Sequence, residues 1–402
     1  MPYADLQPSP PETEGRLGPR IAATIACRTV LNTGRRFIYP FAPDLSRELG
    51  VPLTSITGLI ALNSATNLLG LIFGPVADRC GYRAMMILGM AALTAGTAAA
   101  GFLPVFAVLA IAHFLSGLGK SIYDPAVQAY ISERVPYGRR GRVVGLLETA
   151  WAGSTLLGVP LLALLIDQAG WRAAFFSLSA SGLLGTALMI RLIPAGRHPD
   201  PRPPAPMSFR RLLAAMLYSR PALGVALCAF FFNAAMDNLF VIYGAWFEDA
   251  FHLSVLALGV GTSVIGAAEL LGEFITAGLG DRLGLKRMAI GGVALCVLTY
   301  LLLPAVAHTV STALAALFLV FCIFEMTVVT LLSVTTELLP HARATMVAGY
   351  YAAAGTGRVV GALMGGPVWL AWGITGTGLA SAALTALALA ALLWALRGFK
   401  VD

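Results

Sequence analysis

Apolar stretches of about 20 residues recur twelve times along this chain of 402 residues. At 1.5 Å per residue, a helix of that length crosses the roughly 30 Å hydrocarbon core of a bilayer. The apolar share of 58% and the charged share of 12% also lie far from the roughly 45–50% and 25% of a soluble domain. The sequence therefore predicts an all-α integral membrane protein with twelve transmembrane helices, at 21–43, 54–77, 84–103, 105–131, 142–166, 171–193, 221–246, 255–278, 286–306, 311–336, 342–369 and 373–397.

Basic residues between these spans alternate from one loop to the next. Nearly all the lysines and arginines outside the interior of the spans lie in one set of loops and in the two termini. The opposite set of loops contains only Arg47 and Arg172. Because basic loops stay on the cytoplasmic side, both termini are predicted to be cytoplasmic, in a protein of the cytoplasmic (inner) membrane. This bias accounts for most of the net charge of +7 without a nucleic-acid partner.

Charged side chains interrupt several of the predicted helices. Each costs at least about 2.5 kcal/mol at the centre of a bilayer, so together they predict a polar interior pathway, as in a transporter. Several share one face of a helix at spacings of three, four or seven residues, in keeping with the 3.6-residue period. The candidate substrate or proton pathway consists of Arg28, Asn32, Arg35, Arg36, Lys120, Asp124, Glu148, Asn233, Asp237, Glu269, Glu273, Glu325 and Arg358.

The sequence divides near its middle into two similar halves. The stretch GPVADRCGYRAMMILG returns as AGLGDRLGLKRMAIGG 203 residues later (Asp78 to Asp281). Two copies in one orientation predict two six-helix bundles related by a pseudo-two-fold axis along the membrane normal, with the transport site between them. The predicted parts are a disordered cytoplasmic tail (1–20), an N-terminal bundle (21–193), a Pro-rich cytoplasmic linker (194–220), a C-terminal bundle (221–397) and a short cytoplasmic tail (398–402).

The repeated motif resembles the cytoplasmic-loop signature of the major facilitator superfamily (MFS). The resemblance covers essentially the whole chain, and it implies the MFS fold and secondary transport. It also implies a cytoplasmic gate, in which the motif aspartate accepts hydrogen bonds at a neighbouring helix N-terminus and the following glycine makes a tight turn. The gate residues are Gly74, Asp78, Arg79, Gly81, Arg83, Gly278, Asp281, Arg282 and Gly284.

Two further features bear on the branch of the superfamily. Gly153 and the sequence Gly158-Val159-Pro160 resemble the Gly- and Pro-rich motif of exporters, and close helix packing is the alternative interpretation. His113 stands ahead of Gly117 where the family has an arginine, which puts that arginine's role in proton transfer in doubt. The motif pattern as a whole is closest to the twelve-helix, proton-coupled efflux branch.

Interior charges are distributed unequally between the halves. Apart from Arg358, the cations lie in the N-terminal half, whereas the C-terminal half carries four acidic residues. These opposite charges either pair across the halves or form a bipolar cavity for an anionic, zwitterionic or amphiphilic solute, with a desolvated carboxylate as proton carrier. Alignment of the repeats places Arg35 opposite Asp237, which predicts an ion pair between them. By depth, the candidates for substrate contact are Arg35, Lys120, Asp237, Glu325 and Arg358, and those for pairing nearer the cytoplasm are Arg28, Asp124, Glu148 and Glu273.

The predicted function is transport of a small organic solute by alternating access, with proton-coupled export, by a monomer embedded in the lipid bilayer. No phosphate-binding loop is present, which excludes ATP-driven transport by this chain alone, and no enzyme motif is found. The five cysteines are scattered without ligand spacing, so neither a metal nor a cofactor is expected. The alternatives are a lipid or lysolipid flippase, which a lateral opening would favour, and a non-transporting sensor or scaffold, against which the two gate aspartates argue.

Overall fold

The computed structural model of the chain describes residues 14–135, 137–194, 219–338 and 343–397, and within them it contains helices and no strand. Eight of the described helical segments are long and apolar enough to cross a membrane. Gly170 (φ 77°) and Gly373 (φ 58°) divide the two longest of these, of 48 and 50 residues, into two helices each. The all-helical membrane fold is confirmed, and the count of twelve spans stays a prediction. The eight segments are Tyr82–Phe102, Phe106–Arg134, Gly145–Leu192, Arg220–Phe251, Val255–Gly280, Leu285–Val306, Val310–Thr336 and Met346–Ala395.

We call residues 14–194 the N-terminal half and residues 219–397 the C-terminal half. The N-terminal half contains α1 (Glu14–Arg36), α2 (Ile38–Leu49), α3 (Leu53–Ala65), α4 (Gly70–Cys80), α5 (Tyr82–Phe102), α6 (Phe106–Arg134), α7 (Tyr137–Gly153) and α8 (Val159–Leu192). A 3₁₀ turn (Thr66–Leu69) joins α3 to α4, and a π-helical turn (Ser154–Gly158) joins α7 to α8. The C-terminal half contains α9 (Arg220–Phe240), α10 (Tyr243–Phe251), α11 (Val255–Leu283), α12 (Leu285–Val306), α13 (Val310–Leu338) and α14 (Arg343–Ala395).

The first helix begins earlier than the sequence predicts. Residues 14–20, assigned to a disordered tail by their polar composition, form the first turns of α1. Glutamate and arginine are good helix formers, so a helix can continue past its apolar stretch beyond the bilayer. Residues 1–13, most of the linker (195–218) and the predicted C-terminal tail (398–402) lie outside the described residues.

The two copies of the loop motif have the same backbone at their turns. Gly81, between α4 and α5, has φ 89° and ψ 135°, and Gly284, between α11 and α12, has φ 81° and ψ 130°. Residues with a side chain rarely adopt this conformation, which fits the tight turn predicted for both glycines. Gly74, Asp78 and Asp281 lie outside the residues whose side chains the structure describes, and the contacts of the motif aspartates stay a prediction.

The long helices end at two opposite faces of the molecule. We call the face where α1 begins and α14 ends the terminal face, and the face where α2 and α10 end the distal face. The larger buried apolar cluster combines distal residues of the N-terminal half, such as Phe41 and Phe175, with residues of the C-terminal half, such as Phe240. A second cluster, around Met86 and Tyr123, fills the terminal part of the N-terminal half. The two halves therefore share an apolar core towards the distal face.

Candidate transport site between the two halves

A buried ion pair joins the two halves in the middle of the molecule. Arg36, the last residue of α1, donates from Nη2 to Glu269 Oε1 at 2.5 Å and from Nη1 to Glu269 Oε2 at 3.1 Å. The same carboxylate accepts from Trp151 Nε1 at 3.2 Å and from Thr155 Oγ1 at 2.9 Å. The Arg36 and Glu269 side chains are only 2% and 3% exposed. Three residues of the N-terminal half thus bind Glu269 of α11, which offsets part of the cost of burying its charge.

Trp151 and Thr155 owe their positions to an irregular stretch between α7 and α8. Residues 154–158 form a π-helical turn, and Pro160 has no N–H with which to bond the Leu156 carbonyl. That carbonyl accepts instead from Ser263 Oγ of the C-terminal half, at 3.0 Å. The irregular turn therefore lies beside Glu269 and adds a second polar contact between the halves.

A second polar group surrounds Asp237 on α9. Its Oδ1 accepts from the Tyr39 hydroxyl at 3.2 Å, and its Oδ2 lies 3.3 Å from Arg358 Nη1. The Asp237 side chain is fully buried, whereas that of Arg358 is 17% exposed. Asp237 Oδ2 makes no hydrogen bond, and Arg358 donates none to any residue that the structure describes. The Arg358 guanidinium therefore keeps N–H donors for a further acceptor.

Trp151 lies among three cations. Its ring centroid is 4.1 Å from the Arg36 guanidinium, 5.7 Å from Lys120 Nζ and 5.7 Å from the Arg358 guanidinium. Arg36 and Lys120 come from the N-terminal half and Arg358 from α14 of the other half. An aromatic face next to cations from both halves can accept the apolar part of a ligand whose charged group is negative.

The predicted ion pair between Arg35 and Asp237 is not formed in this structure. Arg35 donates to Asn67 Oδ1 at 3.0 Å and to Ser64 Oγ at 3.4 Å, both within its own half, and Asp237 pairs with Arg358. The repeat alignment gives the depth of a residue but not the direction in which it faces. Successive residues of a helix point about 100° apart, and here Arg36 rather than Arg35 faces the C-terminal half.

Four charged residues of the N-terminal half pair with one another. Arg28 lies 3.2 Å from Asp124 and 3.0 Å from Glu148, and Lys120 Nζ lies 2.6 Å from Asp124. Arg28 also donates to the Leu147 carbonyl at 2.8 Å. Lys120, a candidate for substrate contact by depth, therefore already has a carboxylate partner.

The remaining candidates fall into two groups. Asn32 donates to the Ala150 carbonyl at 3.1 Å, and Asn233 donates to the Ala229 carbonyl of its own helix at 2.9 Å, so both amides have packing roles. Glu273 and Glu325 have no cation within 4 Å and no hydrogen bond among the described residues. Both are partly buried carboxylates that lack a partner among the residues that the structure describes.

Three residues of this site were missed or underrated by the sequence analysis. Tyr39 and Thr155 carry no charge, so neither interrupts its helix in a way that marks it as costly. Trp151 is uncharged as well, and an aromatic ring within a span suits packing or an interfacial belt as readily as a cavity wall. The signal that could have found two of them is the spacing of Glu148, Trp151 and Thr155, which places all three on one helix face.

Comparison with known proteins identifies the family of this helical fold. The family model described as Major Facilitator Superfamily matches residues 24–243 and 225–400, which together cover nearly the whole chain. The chain belongs to the Major Facilitator Superfamily. It is an integral membrane protein of a transporter family, not an enzyme.

Individual MFS relatives are distant. The chain is 27% identical over 342 residues to the uncharacterized MFS-type transporter YceJ of Bacillus subtilis (strain 168), covering 84% of this chain and 86% of the relative. It is 26% identical over 292 residues to a chloramphenicol resistance protein of Streptomyces lividans, covering 72% of this chain and 73% of that protein.

The MFS fold is also found in a solved structure of similar shape. A bacterial homologue of the human lysosomal transporter Spinster, in an inward-facing and occupied conformation, matches with a TM-score of 0.77 over 96% of this chain and 98% of that one. The two sequences are 15% identical, so the likeness concerns the fold alone.

Proposed function

We propose that this MFS protein is a secondary transporter for a small organic solute with an anionic group, zwitterionic and amphiphilic solutes included. The solute crosses the cytoplasmic membrane by alternating access of the two halves, in a proton-coupled export cycle. The observation that carries this proposal is the partly exposed guanidinium of Arg358, which donates no hydrogen bond to any described residue.

Arg358 is the anion anchor in this account. A guanidinium binds a carboxylate or phosphate through two parallel hydrogen bonds, and it stays charged in an apolar setting. Asp237 is the counter-ion of Arg358, but its Oδ2 lies 3.3 Å from Arg358 Nη1 and accepts no hydrogen bond. An incoming anion therefore competes with a weakly bound counter-ion. Trp151, 5.7 Å away, takes the apolar part of the solute.

Alternating access requires the Arg36–Glu269 pair to separate and re-form. Arg36 is followed directly by α2, and at about 1.5 Å per residue it lies about 20 Å from the distal end of that helix. Glu269 lies about 20 Å from the distal start of α11. This matched depth supports a role as the central contact between the halves. We further propose that Asp78 and Asp281 close the terminal face, which the distribution of basic residues assigns to the cytoplasm.

Proton coupling and export rest on separate observations. Glu325 and Glu273 have no cation within 4 Å among the described residues, and a carboxylate in a desolvated site without a counter-ion binds protons readily. Export is supported by the relative whose name records chloramphenicol resistance.

Counterflow in proteoliposomes tests the proposed solute class. Vesicles containing the purified protein are loaded with an unlabelled compound, and uptake of its labelled form is measured for organic anions, amines and lysolipids. We expect exchange of at least one organic anion. Arg358→Gln should reduce it about ten- to hundredfold, because a hydrogen bond to a charged group contributes about 1.5–3 kcal/mol.

The matched control is Arg172→Gln, which removes an exposed arginine at the very start of the predicted span 171–193. This variant should exchange the anion at the wild-type rate. Exchange of amines alone would refute the anionic class, and a wild-type rate in Arg358→Gln would refute the anchor. Exchange confined to lysolipids would identify a flippase.

A further inference from the structure

The distal face carries a second set of charged contacts between the halves. Arg47, near the end of α2, forms an ion pair with Glu248 of α10, and its Nη2 also lies 3.0 Å from Asp44 Oδ1. Asp44 in turn accepts from Trp171 Nε1 of α8 at 3.0 Å. Only the contact between Arg47 and Glu248 crosses from one half to the other, and the contacts with Asp44 and Trp171 orient Arg47 from its own half.

Beneath this ion pair the two backbones touch. Gly244 of α10 packs directly against the Pro40 carbonyl of α2, where a side-chain carbon would collide. One turn towards the middle of the molecule, the Tyr39 ring stacks on Phe240 at 4.2 Å between centroids. The ends of α2 and α10 thus meet tightly, and the ion pair lies on the outside of their contact.

Two open cavities flank the Arg47–Glu248 pair, and both residues line each of them. One cavity, of about 700 Å³, is also lined by Asp249 and Trp369, and the other, of about 520 Å³, by Asp167. The Arg47 side chain is 57% exposed. Water and salt therefore reach this ion pair, in contrast to the buried pair of Arg36 and Glu269, so it can open and close at small cost.

We propose that Arg47 and Glu248 form an electrostatic latch that holds the distal face closed. The proposal depends on the alternating access of the proposed function. It assigns gating roles to two residues outside the interior pathway. This weak ion pair shifts the equilibrium between two states, with the distal face closed (distal-closed) or open (distal-open). The contact between α2 and α10 beneath the pair excludes water while the pair is formed.

A distance measurement between the halves tests the latch without any solute. Nitroxide labels are attached to cysteines at the exposed positions Gln168 and Ala250, one in each half, in a background with the five native cysteines replaced. Pulsed electron spin resonance then gives the distance distribution in lipid nanodiscs. Arg47→Gln and Glu248→Gln should each increase the population at longer distance about two- to fivefold, the range that an exposed ion pair supports.

In an Asp44→Asn background, which removes the carboxylate that would repel a glutamate at position 47, the double variant Arg47→Glu/Glu248→Arg restores an ion pair of opposite polarity and should return the distribution to that of the parent protein. Glu48→Gln removes an exposed charge beside Arg47 that has no ion-pair partner among the described residues, and it should leave the distribution unchanged. If both single variants kept the distance distribution of the parent protein, the latch would be overturned. The same would follow if the double variant populated the longer distance as much as the single variants do. If distances respond as expected but no compound of the counterflow panel is exchanged, the latch stands and the transport proposal fails.

Discussion

Glu325 differs from most interior carboxylates in having no cation within 4 Å in the part of the chain that the structure describes. Glu269, Asp237 and Asp124 each lie within 4 Å of a lysine or arginine, so their charges are compensated in this conformation. A carboxylate without such a partner is neutralised most cheaply by a proton when it enters an apolar setting. This makes Glu325, together with Glu273, a candidate for the proton site of the proposed cycle.

Replacing Glu325 by glutamine separates proton coupling from solute movement. In Glu325→Gln we expect no accumulation driven by a pH gradient, because the group that carries the proton is gone. Counterflow, which needs no net proton movement, should remain within about twofold of the wild type. The exposed Glu48→Gln is the control and should accumulate normally; gradient-driven accumulation by Glu325→Gln would show that the proton binds elsewhere.

The sequence identifies which residues are costly in a membrane, but not their partners. Glu269 and Arg36 stand out because a charge inside an apolar span needs an explanation. Their pairing depends on the rotation of two helices about their axes, and a depth estimate from residue counts selected Arg35 instead. Tyr39 and Thr155 complete the site with hydroxyl groups that cost little in a helix, so composition gives no sign of them.

Among the elements of the fold, the turns at Gly81 and Gly284 are those that the repeated motif predicts most directly. Their shared backbone conformation follows from the same residue at the same place in each copy. The breaks inside predicted spans are less visible in sequence. Pro160 marks the π-helical turn before it, but the hydrogen bond from Ser263 of the other half to the Leu156 carbonyl is contained in no local pattern.

Alanine substitutions separate backbone strain from packing at these turns. No atom lies within 4 Å of a side-chain carbon placed on Gly284 or on Gly291, but only Gly284 has a positive φ, of 81°. Gly284→Ala should therefore lower stability by about 1–3 kcal/mol through strain alone. Gly291→Ala, inside α12, should be neutral or stabilise by up to about 1 kcal/mol. Thermal unfolding in detergent measures both, and equal midpoints would contradict the strain argument.

Across the whole molecule, the described residues form ion pairs between the halves at two depths, and the proposed cytoplasmic gate would add a third. The exposed pair of Arg47 and Glu248 lies at the distal face and the buried pair of Arg36 and Glu269 in the middle. The predicted cytoplasmic gate, which contains Asp78 and Asp281, lies at the terminal face. A transporter of this kind must release the distal contacts and form the terminal ones in turn, so each level should control the rate without binding the solute.

The proposed cytoplasmic gate is tested by Asp78→Asn and Asp281→Asn. Each should slow counterflow at least about tenfold while equilibrium binding of the exchanged anion stays within about threefold, because gating residues act on the conformational step. Asp249→Asn, an exposed change on α10, serves as the control and should be silent. Wild-type counterflow rates in both Asp78→Asn and Asp281→Asn would refute the gating role of these aspartates.

The most direct test of alternating access follows both faces when the buried pair is weakened. Glu269→Gln takes away the charge that Arg36 binds, so it should depopulate the distal-closed state. Spin labels at Gln168 and Ala250 report on the distal face, and labels at the exposed Ser132 and Leu283 report on the terminal face. We predict that the distal distance increases while the terminal distance decreases. An increase of both distances, or a change in neither, would contradict alternation of the two halves about this ion pair.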